Sequence, residues 1–191
     1  MKLKNQYFLL RHGNNVYTSK KKDFTYPWPD NPPTELSEGG IRQIEATAKK
    51  LEKEKIDFIY SSDIFRAKQS ADIVARELNL TVRADKRLRD LNLGIFHNGL
   101  KKDFYKAFPD PIKRFTQKPK GGESWNDVKK RMMSFVKELE KYYKGKNILI
   151  VGHGDPLWIL EGTMKGLNHR QLIEQILATK DYIKPGELRK I

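Results

Sequence analysis

Two short apolar runs, each followed by a His-Gly pair, constrain the fold of this 191-residue chain more than any other feature. Residues 7–10 (YFLL) precede Arg-His-Gly at 11–13, and residues 148–151 (ILIV) precede His-Gly at 153–154. Consecutive bulky apolar residues are typical of strands that are buried on both faces. In an open α/β sheet such strands would deliver both imidazoles to the carboxyl edge, where ligands bind. The pattern, with an arginine beside the first histidine, predicts an anion-binding site.

The rest of the chain alternates predicted helices with predicted strands. Apolar residues at helical spacing, together with Ser37 and Ser124 as helix N-caps, mark the helices. This alternation predicts an α/β fold, a three-layer α/β/α sandwich around a mainly parallel sheet. The predicted helices cover 38–51, 63–78, 125–143, a segment that includes Pro156 in its first turn, and 171–177, and the further strands cover 56–60 and 80–82.

Two segments lack this regular pattern. Residues 14–34 end in a proline-rich stretch (YPWPDNPP), which forbids a helix or a central strand there. Residues 85–122 contain scattered glycines, prolines and aromatic residues. We expect residues 1–191 to form a single domain in which an insertion, about 95–121, folds over the sheet as a short lid. Its aromatic residues, and Trp28 of the first loop, are expected to serve packing more than substrate contact.

Composition narrows the class of protein. The absence of cysteine excludes disulfides and thiolate chemistry. No apolar run approaches the roughly 18 residues of a membrane span, and the apolar stretch near the N-terminus is too short for a signal peptide, so we expect a cytoplasmic protein without a membrane partner. The net charge of +14 attracts anions, but its basic residues are scattered beside acidic ones. The sequence therefore does not favour a nucleic acid partner.

Further motifs lie between the two His-Gly pairs. They are LSEGGIRQ at 36–43, YSSDIFRAKQSA at 60–71, LRDLNLG at 88–94 and GGES at 121–124. Together with the two His-Gly segments, and in this order, they resemble the histidine phosphatase superfamily, in its phosphoglycerate-mutase-like branch (branch 1). Arg-His-Gly alone is a weak signal, whereas the whole ordered set is specific.

The resemblance implies a role for each of five residues. His12 would be the nucleophile that takes the phosphoryl group and becomes phosphohistidine. Arg11, Arg66 and His153 would bind the phosphoryl oxygens, and Gly154 would donate its backbone N–H. Phosphoryl transfer gathers charge on the equatorial oxygens, so cationic donors already in place stabilise the transition state. Guanidinium groups match phosphate geometry, and a covalent intermediate divides hydrolysis into two easier displacements.

The proton donor is a departure from the family pattern. Asp90 occupies the position of the family's usual glutamate, where it would protonate the leaving oxygen and later, as a carboxylate, activate water. Aspartate is one methylene shorter, so the backbone must place it closer to the leaving group. Glu123 is an alternative donor, although a structural role is the stronger expectation for it.

Other positions near the nucleophile also depart from the family pattern. Asn14 and Asn15 stand where the family has Glu or Gln followed by Ser or Thr, and Thr18 stands where it has a phosphate-contacting Asn. We expect Asn14 and Thr18 to contact substrate, since a hydroxyl can still donate one hydrogen bond. His97 and His169 lie outside the motifs and are expected at the surface.

Three functions fit this set of residues. The insertion between Gly99 and the GGES motif spans only residues 100–120, shorter than in the family's metabolic mutases, so water should reach the phosphohistidine. The sequence therefore favours a phosphomonoesterase, with a phosphoglycerate-type mutase or a non-catalytic phospho-ligand binder as alternatives. Arginines and histidines already neutralise a phosphate, so no metal or cofactor is needed. The substrate, beyond being small and phosphorylated, and the oligomeric state are open.

Overall fold

The computed structural model of the chain describes residues 3–28 and 30–191 and contains a mixed sheet with helices on both faces. The strands are β1 (Gln6–Arg11), β2 (Phe58–Ser61), β3 (Val82–Ala84), β4 (Asn147–Gly152) and β5 (Leu188–Lys190). The helices are α1 (Glu38–Leu51), α2 (Phe65–Leu78), α3 (Lys101–Ala107), α4 (Trp125–Tyr142), α5 (Gly154–Met164) and α6 (His169–Thr179). Within the described ranges, none of these helices is both long and apolar enough to cross a membrane.

The strand order of the sheet is β3-β2-β4-β1-β5. The pairs β3–β2, β2–β4 and β4–β1 are parallel, and only β5 runs antiparallel to its neighbour β1. The two apolar runs of the sequence are therefore adjacent parallel strands, with Arg11 opposite Gly152 at their carboxyl ends. The predicted mainly parallel α/β sheet is confirmed.

Side chains of the central strands alternate between two cores. Phe8 and Leu10 of β1 belong to an apolar cluster with α1 and α2 on one face of the sheet. Tyr7 and Leu9 belong to a second cluster with α4, α5 and α6 on the other face. Because both faces of β1 are covered by helices, this strand needs the continuous apolar sequence that marks it. The three-layer α/β/α prediction is confirmed.

Helix boundaries follow local capping where the sequence offers a cap. The Ser37 hydroxyl accepts a hydrogen bond from Gly40 N at 3.1 Å, and Ser124 and Asp127 form a reciprocal capping box. The predicted start of a helix at Asp63 is wrong, because α2 begins at Phe65. Asp63 is instead held in a two-point ion pair with Arg89, with N–O distances of 2.6 and 2.7 Å.

Strand β5 was not predicted from the sequence. It has three residues, Leu-Arg-Lys, and no apolar run, so nothing in its own composition predicts a strand. It forms because the edge of β1 offers unpaired backbone groups, which it covers. The segment before it also fixes the nucleophile loop, since Gly186 N lies 3.0 Å from Arg11 O and 3.1 Å from His12 O.

The segment between β3 and α4 lies at the carboxyl edge of the sheet. It contains α3 and short 3-10 turns at Gly94–Phe96 and Pro111–Phe115. Its anchor is Phe115, which is fully buried and stacks on His169 of α6, with ring centroids 3.8 Å apart and planes 9° apart. That residues 95–121 act as a lid within a single domain stays a prediction.

The loop after His12 packs against the start of α1 so closely that two glycines are required. A side chain at Gly13 would lie 2.6 Å from Gly40 O, and one at Gly40 would overlap the backbone of Asn14. Gly39, one position earlier, has open space, with its nearest neighbouring atom at 3.9 Å. Contact between bare backbones therefore holds the nucleophile loop on α1.

We predict that Gly40→Ala lowers the free energy of unfolding by about 1–3 kcal/mol, because the added methyl group overlaps backbone that cannot move away. The matched variant Gly39→Ala should be neutral or stabilising by up to about 1 kcal/mol, since alanine favours a helix. Urea unfolding of both variants and the parent chain checks this. Equal stabilities for the two variants would contradict the close approach.

Candidate active site

A cavity of about 610 Å³ opens at the carboxyl ends of β1 and β4. Its lining divides into a polar group that includes the residues of the sequence motifs and an apolar wall from the segments around them. The polar group comprises Arg11, His12, Thr25, Arg66, Asp90, His97, Lys101, Arg114, Gly154, Asp155 and Tyr182. The wall includes Tyr26, Trp28, Leu91, Leu93, Phe104, Tyr105, Trp125, Ile173, Ile176 and Leu177.

His12 is buried, and one of its two ring nitrogens carries no proton. Its Nδ1 lies 2.9 Å from the carbonyl oxygen of Gly13, which can only accept, so Nδ1 bears the proton. Its Nε2 accepts a hydrogen bond from Nε of Arg66 at 3.3 Å. Burial, followed by the nearby charge of Arg66, lowers the pKa of His12 well below the ordinary histidine value. Neutral His12 therefore presents an unprotonated Nε2 near pH 7.

Arg66 lies in the first turn of α2 and is 1% exposed. Asp30 of the preceding loop accepts the N–H of Phe65 at 2.8 Å, so a residue distant in sequence caps this helix. The guanidinium stacks on the ring of Tyr26, 3.7 Å from its centroid. Its NH1 has no hydrogen-bond partner within residues 3–28 and 30–191. A buried guanidinium with an unused donor is suited to an anion.

His153 is fully buried directly after β4, and its ring centroid lies 5.3 Å from that of His12. Its Nε2 is 3.0 Å from the hydroxyl oxygen of Ser62, whereas Nδ1 has no hydrogen-bond partner among the described residues. Burial, together with the charges of Arg66 and Arg11, lowers the pKa of His153 well below the ordinary value. A phosphate dianion would oppose that shift, because an opposite charge favours the protonated imidazole.

Arg11 is held by the C-terminal segment. Its NH1 donates to the carbonyl oxygen of Ile183 at 2.8 Å, and its guanidinium lies 5.5 Å from the ring centroid of Tyr182. Its Nε is buried without a partner in the described part of the chain. Arg11 and His12 line one cavity with Arg66, and His153 lies directly behind it. Folding thus gathers two imidazoles and two guanidinium groups.

Asp90 reaches this group despite its shorter side chain. Its Oδ2 lies 2.7 Å from NH2 of Arg66 and 3.6 Å from Nδ1 of His153. Its backbone is fixed by Arg131, whose NH2 donates to the Asp90 carbonyl oxygen at 2.9 Å. Glu123 does not line the cavity and pairs with Arg131, with N–O distances of 2.8 and 3.1 Å. Glu123 thus orients the arginine that places Asp90.

Asn14 and Thr18 do not line the cavity. The Thr18 hydroxyl donates to the Asn14 side-chain oxygen at 3.1 Å and accepts the N–H of Asn15 at 2.9 Å. The Asn14 carbonyl oxygen accepts from Ser37 at the start of α1. Both residues brace the loop after His12, and direct contact with substrate stays a prediction for them.

Asp155 and Tyr182 were not predicted from the sequence. Both line the cavity, and the Tyr182 hydroxyl donates to Oδ1 of Asp155 at 2.6 Å. Burial raises the pKa of Asp155 above the ordinary aspartate value. Its position directly after the second His-Gly pair was an available signal. Tyr182 lies in the tail after α6, where no pattern marks it.

The expectation that His97 and His169 are surface residues is wrong. His97 lines the cavity and stacks on Trp28, with centroids 5.0 Å apart and planes 15° apart. Its Nδ1 donates to Tyr26 O at 3.0 Å, and its Nε2 accepts from Leu93 N at 2.8 Å. His169 is half-buried under the ring of Phe115.

Residues 3–28 and 30–191 contain no group of three or more histidine, aspartate or glutamate side chains that could hold a metal ion. The polar groups that meet in the cavity are instead mostly hydrogen-bond donors, with Asp90 and Asp155 as the carboxylates. Such a set is complementary to an oxyanion.

Fold and site together define an α/β protein with a paired-imidazole, arginine-rich cavity at the carboxyl edge of its sheet. The family model of the histidine phosphatase superfamily (branch 1) matches residues 7–179, and the chain belongs to this superfamily. It is 30% identical over 167 residues to a Yersinia pestis protein named probable phosphoglycerate mutase GpmB. The aligned region covers 85% of this chain and 75% of that protein.

Solved structures share the fold. The mycobacterial glucosyl-3-phosphoglycerate phosphatase, in a complex with VO3, matches with a TM-score of 0.80 and 27% identity over 97% of this chain and 90% of that one. The alpha-ribazole phosphatase of Shigella flexneri matches with a TM-score of 0.77 and 22% identity over 97% of this chain and 89% of that one. The second likeness concerns the fold alone.

Proposed function

We propose that this protein is a phosphomonoesterase that hydrolyses small phosphorylated substrates through a phosphohistidine intermediate on His12. The observation that carries the proposal is the state of the His12 ring. Its Nδ1 is fixed on Gly13 O, and its unprotonated Nε2 lies beside Arg66 and His153. A neutral, oriented nitrogen among cationic donors is what an attack on phosphorus requires.

In the first step Nε2 of His12 forms a bond to phosphorus while the bond from phosphorus to the ester oxygen breaks. The unpartnered donors of Arg11, Arg66 and His153 bind the phosphoryl oxygens, where charge gathers in the transition state. A bound phosphate dianion competes with Asp90 for Arg66 and favours the protonated form of Asp90. Asp90 then gives its proton to the leaving oxygen, so the alcohol departs neutral. Gly154 N–H, at the start of α5, adds a donor at a helix N-terminus.

In the second step water attacks the phosphohistidine. Asp90, now a carboxylate, takes a proton from the water, which forms a bond to phosphorus as the bond to Nε2 breaks. Inorganic phosphate leaves, and His12 returns to its neutral state. The position of Asp90 near both Arg66 and His153 supports this double role.

Hydrolysis is favoured over mutase activity by the openness of the cavity. A mutase must keep its phosphoenzyme away from water and return the group to a second hydroxyl. Here the cavity wall includes Tyr105 and Leu177, whose side chains are 51% and 69% exposed, so water reaches this wall. The likeness to a solved phosphatase supports the same choice, whereas the name of the Yersinia relative keeps a mutase as the alternative.

We predict that His12→Asn lowers the rate of phosphate release from p-nitrophenyl phosphate by about 10³-fold or more, because the nucleophilic nitrogen is lost. The asparagine amide can still donate to Gly13 O, so the loop should keep its shape. Phosphate binding, measured by calorimetry, should persist through Arg11 and Arg66. His169→Phe, which removes an imidazole outside the cavity but keeps a ring stacked on Phe115, is the control.

Four outcomes are informative, two for this variant and two for the parent chain. Loss of turnover with retained phosphate binding supports the proposal. Unchanged hydrolysis would remove His12 from the mechanism. Absence of phosphate release from the parent chain, with phosphate bound tightly, would favour a phospho-ligand binder, and isomerisation of phosphoglycerate without net release would favour a mutase.

We predict that Asp90→Asn slows the hydrolysis of an alkyl phosphate by about 10²–10⁴-fold, since an alkoxide leaves slowly without a proton. Asp72→Asn, an exposed aspartate on α2, is the control and should keep full activity. Initial rates at saturating substrate measure the effect. A normal rate in Asp90→Asn together with a slow rate in Asp155→Asn would move the acid role to Asp155.

A further inference from the structure

The cavity is larger than a phosphoryl group requires. At about 610 Å³ it falls within the roughly 300–1,000 Å³ of sites that enclose whole small molecules. The catalytic residues occupy the end next to β1 and β4, and the rest of the lining combines an apolar wall with the polar side chains of His97, Lys101 and Arg114. The apolar wall includes Trp28, Phe104, Tyr105, Trp125, Ile173 and Ile176. An alcohol that packs on this wall must offer it an apolar surface.

The aromatic part of the wall is fixed before any ligand binds. Phe104 is buried against Phe108, with ring centroids 5.2 Å apart. Trp125 packs edge-on against Phe115 and Trp158, at 5.0 and 5.1 Å between centroids. Because these rings belong to packed clusters, the wall is a preformed surface, which reduces the cost of ordering on binding.

Arg114 lines the cavity beside this wall and has no carboxylate partner among the residues that the structure describes. Its guanidinium lies over the rings of Tyr105, Phe104 and Trp125, at 4.9, 5.6 and 5.8 Å from their centroids. Its Nε donates to Phe108 O at 2.9 Å. No carboxylate oxygen of the described residues lies within 4.0 Å of its nitrogens. Burial lowers its pKa from the ordinary arginine value, although the charges of Asp155 and Asp110 oppose that shift.

Three arginines near Arg114 in sequence are paired with carboxylates. Arg87, Arg89 and Arg131 each form close ion pairs with aspartate or glutamate, at 2.6, 2.6 and 2.8 Å. Arg114 has the same donors, and its aromatic neighbours hold the guanidinium plane but offer no oxygen acceptor. Its two terminal nitrogens can therefore donate to the two oxygens of a carboxylate.

We propose that the substrates are phosphomonoesters whose alcohol carries a flat apolar group bearing a carboxylate at its far end. The phosphoryl group lies on Arg11, Arg66 and His153. The apolar group packs on the aromatic wall, and its carboxylate pairs with Arg114, which is thereby a specificity-determining residue. This inference rests on the proposed phosphomonoesterase function.

Three alkyl phosphates test the inference in the full chain. Glycerol 1-phosphate, benzyl phosphate and 4-carboxybenzyl phosphate all release primary alcohols, so leaving-group chemistry differs little among them. We expect kcat/KM to rise about tenfold from the glycerol to the benzyl ester through burial of the ring. A further rise of about tenfold, mainly in KM, is expected for the carboxybenzyl ester through the charged contact.

Variants separate the two contributions. Arg114→Met should remove the advantage of the carboxylate, about tenfold in KM, while benzyl phosphate stays within about twofold of the parent value. Arg114→Lys should restore part of the loss. Leu177→Ser, on an exposed part of the wall, should raise KM for both benzyl esters by a larger factor than for glycerol 1-phosphate. Arg42→Met, at an exposed arginine on α1, is the matched control.

The outcomes distinguish this inference from the proposed function. The expected order of the three esters, with a selective loss in Arg114→Met, supports both. Equal kcat/KM for the glycerol and benzyl esters, or an Arg114→Met effect that is the same for all three esters, would overturn the inference and leave phosphatase activity intact. No phosphate release from any ester, including p-nitrophenyl phosphate, would overturn both.

Discussion

The parallel pairing of β1 with β4 is the constraint on which the site depends. Arg11 is the register partner of Gly152, and His12 N donates to the Gly152 carbonyl oxygen at 3.0 Å. The next residue of each strand is therefore a histidine at the same level, and the two rings lie side by side. Because both strands are buried on both faces, a one-residue shift of register would exchange side chains between the two cores and disrupt the packing of both, so the cores fix the spacing of the imidazoles.

Burial then sets the charge of the site. Both imidazoles are held neutral by lost solvation and by adjacent guanidinium groups, which leaves a lone pair on His12. Asp90 and Asp30 both form ion pairs with Arg66, at 2.7 and 3.6 Å. A phosphate that binds there introduces two negative charges among donors that lack partners, which offsets the cost of burying them. The same desolvation that keeps His12 nucleophilic therefore makes the cavity selective for an anion.

Much of this arrangement could be predicted from sequence because it follows from local patterns. Continuous apolar runs marked β1 and β4, and the motifs placed Arg66 at the start of a helix. The features that the sequence did not predict depend on contacts between residues far apart in the chain. Asp30 caps α2 from 35 positions away, and Tyr182 reaches Asp155 from a tail without periodicity. Whether a histidine such as His97 lies at the surface depends on the packing of a loop, which composition does not specify.

If His12 is the nucleophile, the phosphoryl group is bound to it covalently during turnover. Trapping this phosphohistidine is the decisive experiment. With p-nitrophenyl phosphate the leaving group needs no proton, whereas the later attack by water needs a base, so the phosphoenzyme should accumulate in Asp90→Asn. Alkaline quenching during turnover, digestion and mass spectrometry locate the phosphoryl group. We expect phosphate on the peptide that contains His12, and none there in His12→Asn. A phosphoryl group on another residue, or none in a variant that still releases nitrophenol in a burst, would contradict it.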